Sequence, residues 1–350
     1  MTKNTKLLID KLEKNHSLSL PEYEQLIVGI SPEATDYIGK KALKAKKSVY
    51  GNDIYIRGLI EVTNFCKNNC FYCGIRRDNS GCSRYRLTKD EILSCADKGY
   101  ELGFRTFVLQ GGEDMFFTDR VLCDIISSIK KNHPNCAVTL SFGERDKESY
   151  QRLFSAGADR YLLRHETADK EHYIKLHPPE MEFENRINCL KNLREIGYAT
   201  GMGFMVGSPY QTPETLAEDL KLIETFSPEM CGIGPFIPHA ATPFKNFEKG
   251  DTELTLYLLS AIRLIKPNIL LPATTALSTV AENGREKGFL AGANVVMPNL
   301  SPQNVRAKYE LYNKKLYSGE EAAEQLLKLK EKISALGFNI AVNRGDIKNI

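Results

Sequence analysis

No stretch of the 350-residue sequence holds the ~18 uncharged apolar residues that a membrane-spanning helix requires. The N-terminus, MTKNTKLLIDKLEKN, mixes Lys, Asp and Glu and lacks the apolar core of a secretory signal peptide. A strong charge of one sign is missing too. The 47 Lys and Arg against 44 Asp and Glu leave a net charge of +3, with no long basic stripe, so neither nucleic acid nor a membrane surface is an expected partner. Low-complexity tracts and Pro/Gly/Ser linkers are absent, so nothing in the composition divides the chain. Cysteine is too sparse for a disulfide scaffold: nine residues, an odd number, fit thiols in a reducing cytoplasm. A cytoplasmic protein is expected.

What is present is globular: 42% hydrophobic and 26% charged residues can bury a sizeable core. Residues 1–50 read as a helical extension ending in the Lys-rich KKALKAKKSV, and residues 51–350 as one catalytic unit. Across that unit, apolar or β-branched runs alternate with amphipathic stretches, the signature of βαβ units around a parallel sheet. Eight runs qualify as strands: 54–62, 106–110, 137–142, 160–164, 200–206, 230–236, 269–272 and 293–297. Thr88 with Glu91, Thr212 before Pro213, and Ser318 with Glu321 mark helix starts. The fold class expected is α/β, a (β/α)8 TIM-type barrel with an N-terminal helical extension.

Active sites of that fold lie at the C-terminal ends of the strands. Polar and Gly-rich clusters follow the strands here: TNFC, QGGED, SFGER, RHETAD, MVGSP, ATT and MPN among them. Loops are polar in any case, but polarity alone does not put Gln110, Ser141, Arg164, Glu166 and Thr274 at the strand ends themselves.

Three cysteines stand together, Cys66, Cys70 and Cys73, in FCKNNCFYCG. Zinc normally takes four ligands, and between His16 and His133 there is no histidine to supply one; Cys82 is the nearest further thiol. Three closely spaced thiolates suit an iron-sulfur cluster with one open iron better. Such an iron can be chelated by the amino and carboxylate groups of S-adenosylmethionine (SAM), and an electron passed to the sulfonium then yields a 5′-deoxyadenosyl radical. Tyr72 suits adenine contact, Gly74 lets the backbone pass close to a cluster, and Gly111 and Gly112 of QGGED offer a turn that can receive the methionine amino group. The other six cysteines, scattered singly, read as small core hydrophobes.

In C-x3-C-x-aromatic-C the sequence resembles the radical SAM superfamily. Further strings resemble its HydE family of FeFe-hydrogenase maturases: YCGIRRDN, RYRLT, RHETAD, FENRINCL, GIGPFIPH, PATTA, GANVVMPN and a late RGD. The likeness covers about residues 50–346. It implies one 4Fe-4S cluster on Cys66, Cys70 and Cys73, and SAM as the second cofactor. It implies that Glu166 contacts SAM through ribose hydroxyls and Arg186 through its carboxylate, chemistry to which a two-oxygen acceptor and a forked guanidinium are suited. Gln110, Ser141, Met205 and Tyr309 match further positions lining that pocket. Arg164, Thr274, Thr275 and Tyr312 match the catalytic, substrate side, where a cation and two hydroxyls can hold an amino-acid carboxylate.

Plainer readings exist for each residue. Glu166 could simply pair with Arg164, Arg186 with Glu182 or Glu184, Met205 could be core, and two threonines are ordinary β-formers. His165 and His239 read as loop or packing residues. The likeness implies as partners a small amino-acid-derived or organometallic iron substrate, other hydrogenase maturases, and a ferredoxin- or flavodoxin-type electron donor. Three other readings stay open: methylornithine synthase, which shares the RYRLT-like string; a biotin synthase-like enzyme, which needs cysteines facing the barrel interior; and a metal-binding barrel without turnover. No cysteine follows Cys231, which excludes a C-terminal second cluster.

Overall fold

In a computed structural model, which describes residues 1–349 apart from the Glu320 side chain, the chain folds as a closed (β/α)8 barrel. Three helices come first: α1 (Lys3–Asn15), α2 (Leu20–Val28) and α3 (Pro32–Tyr50). The strands are β1 (Asp53–Ile56), β2 (Gly58–Thr63), β3 (Thr106–Gly111), β4 (Ala137–Ser141), β5 (Arg160–Leu162), β6 (Ala199–Met202), β7 (Met205–Val206), β8 (Met230–Cys231), β9 (Gly234–Pro235), β10 (Val295–Val296) and β11 (Asn339–Ala341). Six of them form one parallel sheet in the order β2-β3-β4-β5-β6-β8. Closure runs through residues 270–272: Met230 bridges Leu270 and Pro272 bridges Val295. Backbone bonds from Tyr55, Arg57 and Leu59 N–H to the carbonyls of Asn294, Val296 and Pro298 join the last wall to the first.

The sequence-derived strands lie on the barrel wall, with differences. The run 54–62 is two strands that share its work: β1 pairs with β10 and β11 at the barrel's lower end, and β2 with β3. The runs 200–206 and 230–236 each split in two. At Gly203 (φ +155°) a Cβ would lie 2.0 Å from the Gly232 carbonyl oxygen, so the chains approach there too closely for a regular ladder. The run 269–272 makes only single bridges, and β11 was not foreseen. Thr88 and Thr212 do cap the helices Lys89–Glu101 and Pro213–Phe226. Ser318 does not: its turn is a short 3-10 helix without a side-chain cap, because Glu321 turns away to Thr275 and Arg285.

Register separates the two faces of the wall. Leu59, Val108, Thr139 and Arg160 form one row, and Glu61, Gln110 and Ser141 another above it. The intervening Ile60, Leu109, Leu140 and Tyr161 belong to the large core packed under the helices, so the two rows face inward. That core also takes in Leu8, Leu26 and Ile38 of the N-terminal helices, and the Tyr257 hydroxyl donates to the Leu26 carbonyl. Tyr50, Tyr55, Met230, Leu270 and Val295 fill the lower lumen. At the upper end Gln110, Ser141, Leu162, Arg164, Pro272, Thr274 and Met297 are only half-buried, so the barrel opens there.

The lower end is also latched by charge. Arg160, 1% exposed, donates to Thr106 Oγ1 (3.1 Å), the Arg344 carbonyl (2.8 Å) and Asp346 Oδ1 (2.6 Å). Burial would raise the Asp346 carboxyl, but the Arg344 and Arg160 guanidiniums outweigh it and hold it below its ordinary value. A depressed carboxyl adds stability above its unfolded pKa of about 4 and loses it as pH falls through the folded value. Asp346→Asn is therefore expected to cost about 1–2 kcal/mol at pH 7, a charge-assisted bond discounted for a half-exposed carboxylate. Denaturant titrations at several pH values check this: the gap between parent and variant should shrink below pH ~4, and a gap independent of pH would exclude the latch.

Candidate active site

The three cysteines lie in the loop after β2, at the barrel's open end. Its backbone is held from three sides: Lys67 N–H bonds the Glu113 carbonyl (3.0 Å), Phe71 N–H that of Leu176 (3.1 Å) and Gly74 N–H that of Leu311 (2.8 Å). All three cysteines are unpaired by disulfide and half-buried. Burial pushes their thiols up, Cys73 to about 12, and for Cys70 the neighbouring sulfurs add to it. Bare thiols here stay protonated at neutral pH, and their thiolates need a bound cation to offset the lost solvation.

Among the described residues no three His, Cys, Asp or Glu side chains converge as ligands of a single ion. A four-iron cube takes each thiolate on a different iron, so its sulfurs stand further apart. Gly112 supplies the cradle: a Cβ there would come within 2.2 Å of the Phe65 carbonyl oxygen and 2.7 Å of Cys66 Cβ. The four fully buried cysteines, Cys95, Cys136, Cys189 and Cys231, belong to the core outside the barrel wall, so none of them lines the lumen as a biotin synthase-like site needs.

Tyr72 is fixed by His177. Burial holds His177 down to about 3, hence neutral; its Nδ1 donates to the Tyr173 carbonyl (2.9 Å), which leaves Nε2 to accept from the Tyr72 hydroxyl (3.0 Å). Phe71 and Tyr72 pack on Met205, Leu176, Phe236 and Phe244, an apolar wall beside the cysteine loop. Across the lumen, the Gln110 amide donates to the Tyr309 hydroxyl (3.3 Å), one register step from Ser141.

Glu166 sits in the left-handed region (φ +66°), a strain of about 1 kcal/mol or more that its N–H bond to the Gly203 carbonyl (3.0 Å) helps to hold. Its carboxylate lies 3.2 Å from Arg164 Nη2, so the simple pairing read from sequence is present. Yet the pair is poorly aligned: Glu166 Oε2 and Arg164 Nε and Nη2 are buried without a hydrogen-bond partner. Polar atoms left so are costly, and clustered at a barrel mouth they suit a ligand's hydroxyls and an anion.

Arg186 pairs with neither Glu182 nor Glu184. Its Nε donates to Glu144 Oε1 (2.6 Å) and its Nη1 to the Arg164 carbonyl (2.6 Å). Thr274 makes one long bond to the Ile233 carbonyl (3.4 Å), whereas the Thr275 hydroxyl is committed to Glu321 Oε2 (2.8 Å). Tyr312 is half-buried, and burial raises its hydroxyl. His165 is enclosed between Asp219 and the Gly203 N–H, and His239 accepts from the Ala241 N–H, both packing arrangements. Sequence reasoning missed Glu61. Fully buried, it accepts from Lys315 Nζ (2.6 Å) and Asn299 Nδ2 (2.8 Å); a lone charge at an inward position of the strand GLIEVT was the available signal.

The pattern of the radical SAM superfamily matches residues 60–223. The chain is 47% identical over 277 residues to the [FeFe] hydrogenase maturase subunit HydE of Thermotoga maritima, covering 79% of each. It belongs to the HydE family of radical SAM enzymes. A 4Fe-4S cluster and SAM are the cofactors of that superfamily, and the residues just described fit both. Against the 3-methylornithine synthase of Methanosarcina acetivorans, identity drops to 27% over 290 residues, 82% of this chain and 81% of that one. A crystal structure of methylornithine synthase matches with TM-score 0.83 and 25% identity, covering 95% of this chain and 97% of the other, so this chain and that synthase share one barrel.

The Gly112 cradle gives a direct test in this HydE-family chain. Gly112→Ala must displace the cysteine loop, so iron and sulfide after anaerobic reconstitution should fall from about four per chain to a small fraction. Far-ultraviolet circular dichroism should stay native, since the clash is confined to loops; full iron loading would show that the cradle is not needed.

Proposed function

We propose that this protein serves the assembly of the diiron active site of FeFe-hydrogenase, acting on a small amino-acid-derived substrate or an iron complex that carries one. The observation that carries the reading is Arg164: a half-buried cation just past the end of β5, beside Glu166, whose Nε and Nη2 have no hydrogen-bond partner among the described residues. A carboxylate is the ligand it suits.

Cluster and SAM, when bound, supply reductive cleavage of the S–C5′ bond to methionine and a 5′-deoxyadenosyl radical. The chain's own residues orient and enclose. Cys66, Cys70 and Cys73 hold the cluster, and Gly111 and Gly112 admit the methionine amino group. Tyr72 and Met205 flank the adenine, with Gln110, Ser141 and Tyr309 lining the pocket. Glu166 takes the ribose hydroxyls through its unmet oxygen, while Arg186, held by Glu144, faces the SAM carboxylate. On the substrate side Arg164 binds the carboxylate, with Thr274, Thr275 and Tyr312 around it. Thr275 acts from within its bond to Glu321. The setting is cytoplasmic, which nine free thiols suit; among the described residues no helix is long and apolar enough to cross a membrane. Partners in this reading are other hydrogenase maturases and a low-potential electron donor.

Reconstituted protein with reductant should release methionine and 5′-deoxyadenosine, and should restore hydrogen evolution to apo-hydrogenase in an extract lacking this maturase. Arg164→Ala should lower substrate use roughly ten- to a hundredfold, the ~1.5–3 kcal/mol of a charge-assisted contact, while keeping its iron. Production of methylornithine from lysine, without maturation, would place the protein with the synthase instead.

A further inference from the structure

Asp219 lies on the helix Pro213–Phe226, and its side chain is fully buried. Its neighbours on that helix's buried face, Leu216, Leu220 and Ile223, are apolar, so the carboxylate is the exception there. One oxygen does all its bonding. Oδ1 accepts from His165 Nε2 (3.2 Å) and from the Ala168 N–H (2.6 Å), whereas Oδ2 is enclosed with no hydrogen-bond partner among the described residues. Such an oxygen costs free energy, and apolar packing alone does not explain a carboxylate at this position.

The two groups that Asp219 holds flank Glu166: His165 precedes it, and Ala168 stands two residues after it. Glu166 occupies the left-handed region (φ +66°), its N–H bonds the Gly203 carbonyl (3.0 Å), and the Gly203 N–H returns to His165 Nδ1 (3.3 Å). Because Nδ1 accepts, the ring proton stands on Nε2 and is donated to Asp219. Thr167 is held separately, by His172 Nδ1 (3.0 Å) and the Asp169 N–H (3.2 Å). Both sides of the strained residue are thus tied down, while among residues 165–168 Glu166 alone keeps an unmet side-chain oxygen, Oε2.

We propose that Asp219 and His165 are positioning residues for SAM, holding the 165–168 turn in the conformation that sets the Glu166 carboxylate toward the ribose hydroxyls. The inference rests on the reading in which Glu166 takes those hydroxyls. Without the Asp219 oxygen, two buried N–H groups lose their acceptor, and the turn relaxes toward the backbone regions that a non-glycine residue ordinarily adopts. A carboxylate moved by ~1 Å no longer aligns with both hydroxyls, because hydrogen bonds weaken steeply off line. Affinity for SAM then falls although no group that touches it has been altered.

The test is equilibrium binding of SAM to the anaerobically reconstituted protein, read by calorimetry, with iron content and circular dichroism as controls. Asp219→Asn keeps the accepting oxygen and should bind within about threefold of parent; Asp219→Leu, similar in size, removes it and should bind about tenfold more weakly. Glu166→Ala should weaken binding roughly ten- to a hundredfold, the loss of hydrogen bonds to a charged group. In the Glu166→Ala background, Asp219→Leu should add less than about threefold, because two changes that act through one contact are not additive. Losses that multiply in the double variant would overturn the proposal, since Asp219 would then act on the fold at large. Parental affinity in Asp219→Leu would overturn it as well. If Asp219→Leu loses its iron or its native circular dichroism, His165→Leu carries the same cycle, as it leaves Asp219 on the Ala168 N–H: a loss of about fivefold that vanishes in the Glu166→Ala background is expected, and a multiplying loss or parental affinity would overturn the proposal. Undiminished SAM binding in Glu166→Ala itself would remove the ribose reading, and this proposal with it.

Discussion

The site depends on a barrel lumen that is kept polar without collapsing. A (β/α)8 barrel ordinarily fills its interior with layers of branched aliphatic side chains. Here the inward rows carry Glu61, Gln110, Ser141, Arg160 and Arg164, and each buried charge is tethered to the wall or its caps: Glu61 to Lys315 and Asn299, Arg160 to Asp346. A buried charge that lost its partner would cost several kcal/mol. The tethers therefore fix the segments that supply them. Lys315 brings the stretch after Tyr309 over the open end, and Asp346 brings the C-terminal stretch under the closed end. Arg164 differs in kind, because Glu166, its only ionic partner among the described residues, is set at poor hydrogen-bonding geometry, and the donors and acceptor remain unmet at the open end of the barrel.

Much of this was legible in the residues. Alternation of β-branched runs and amphipathic stretches located the strands because wall residues must be apolar on the helix-facing side, and Ile60, Leu109 and Leu140 obey that rule. The cysteine spacing was legible because three thiolates within eight residues have few uses in a reducing compartment. Strand ends were less so. Gly203 against Gly232 interrupts two strands by a backbone approach between segments 29 residues apart, which no local pattern encodes. The Ser318–Glu321 signature failed for a related reason: a carboxylate that local sequence assigns to a cap was claimed across the fold by Thr275 and Arg285.

The same non-local competition changes how two site residues act. Arg186 and Thr275, which the likeness assigns to ligands, each first satisfy the protein, Arg186 through Glu144 and the Arg164 carbonyl, Thr275 through Glu321. A forked guanidinium held at two nitrogens is preorganised at the third, so less side-chain entropy is lost when a ligand arrives. Arg186 also ties the β5 end to the Glu144 loop, and with it the Arg164 backbone. Motion of one binding group is thereby limited by the anchoring of another.

Gly112 links this interior to the outside. Nothing larger than hydrogen fits between it and the Phe65–Cys66 backbone, so the loop after β3 and the cysteine loop are in direct contact. Glu113 extends the union: its carbonyl takes the Lys67 N–H, its carboxylate the Glu144 N–H, and Glu144 in turn holds Arg186. One chain of contacts thus runs from the exposed Phe116 past the cysteine loop to the Arg186 guanidinium. It is built of backbone bonds and buried ion pairs, the interactions least weakened by solvent. Position at the cysteines is consequently set by the barrel wall and by the contacts between these two loops.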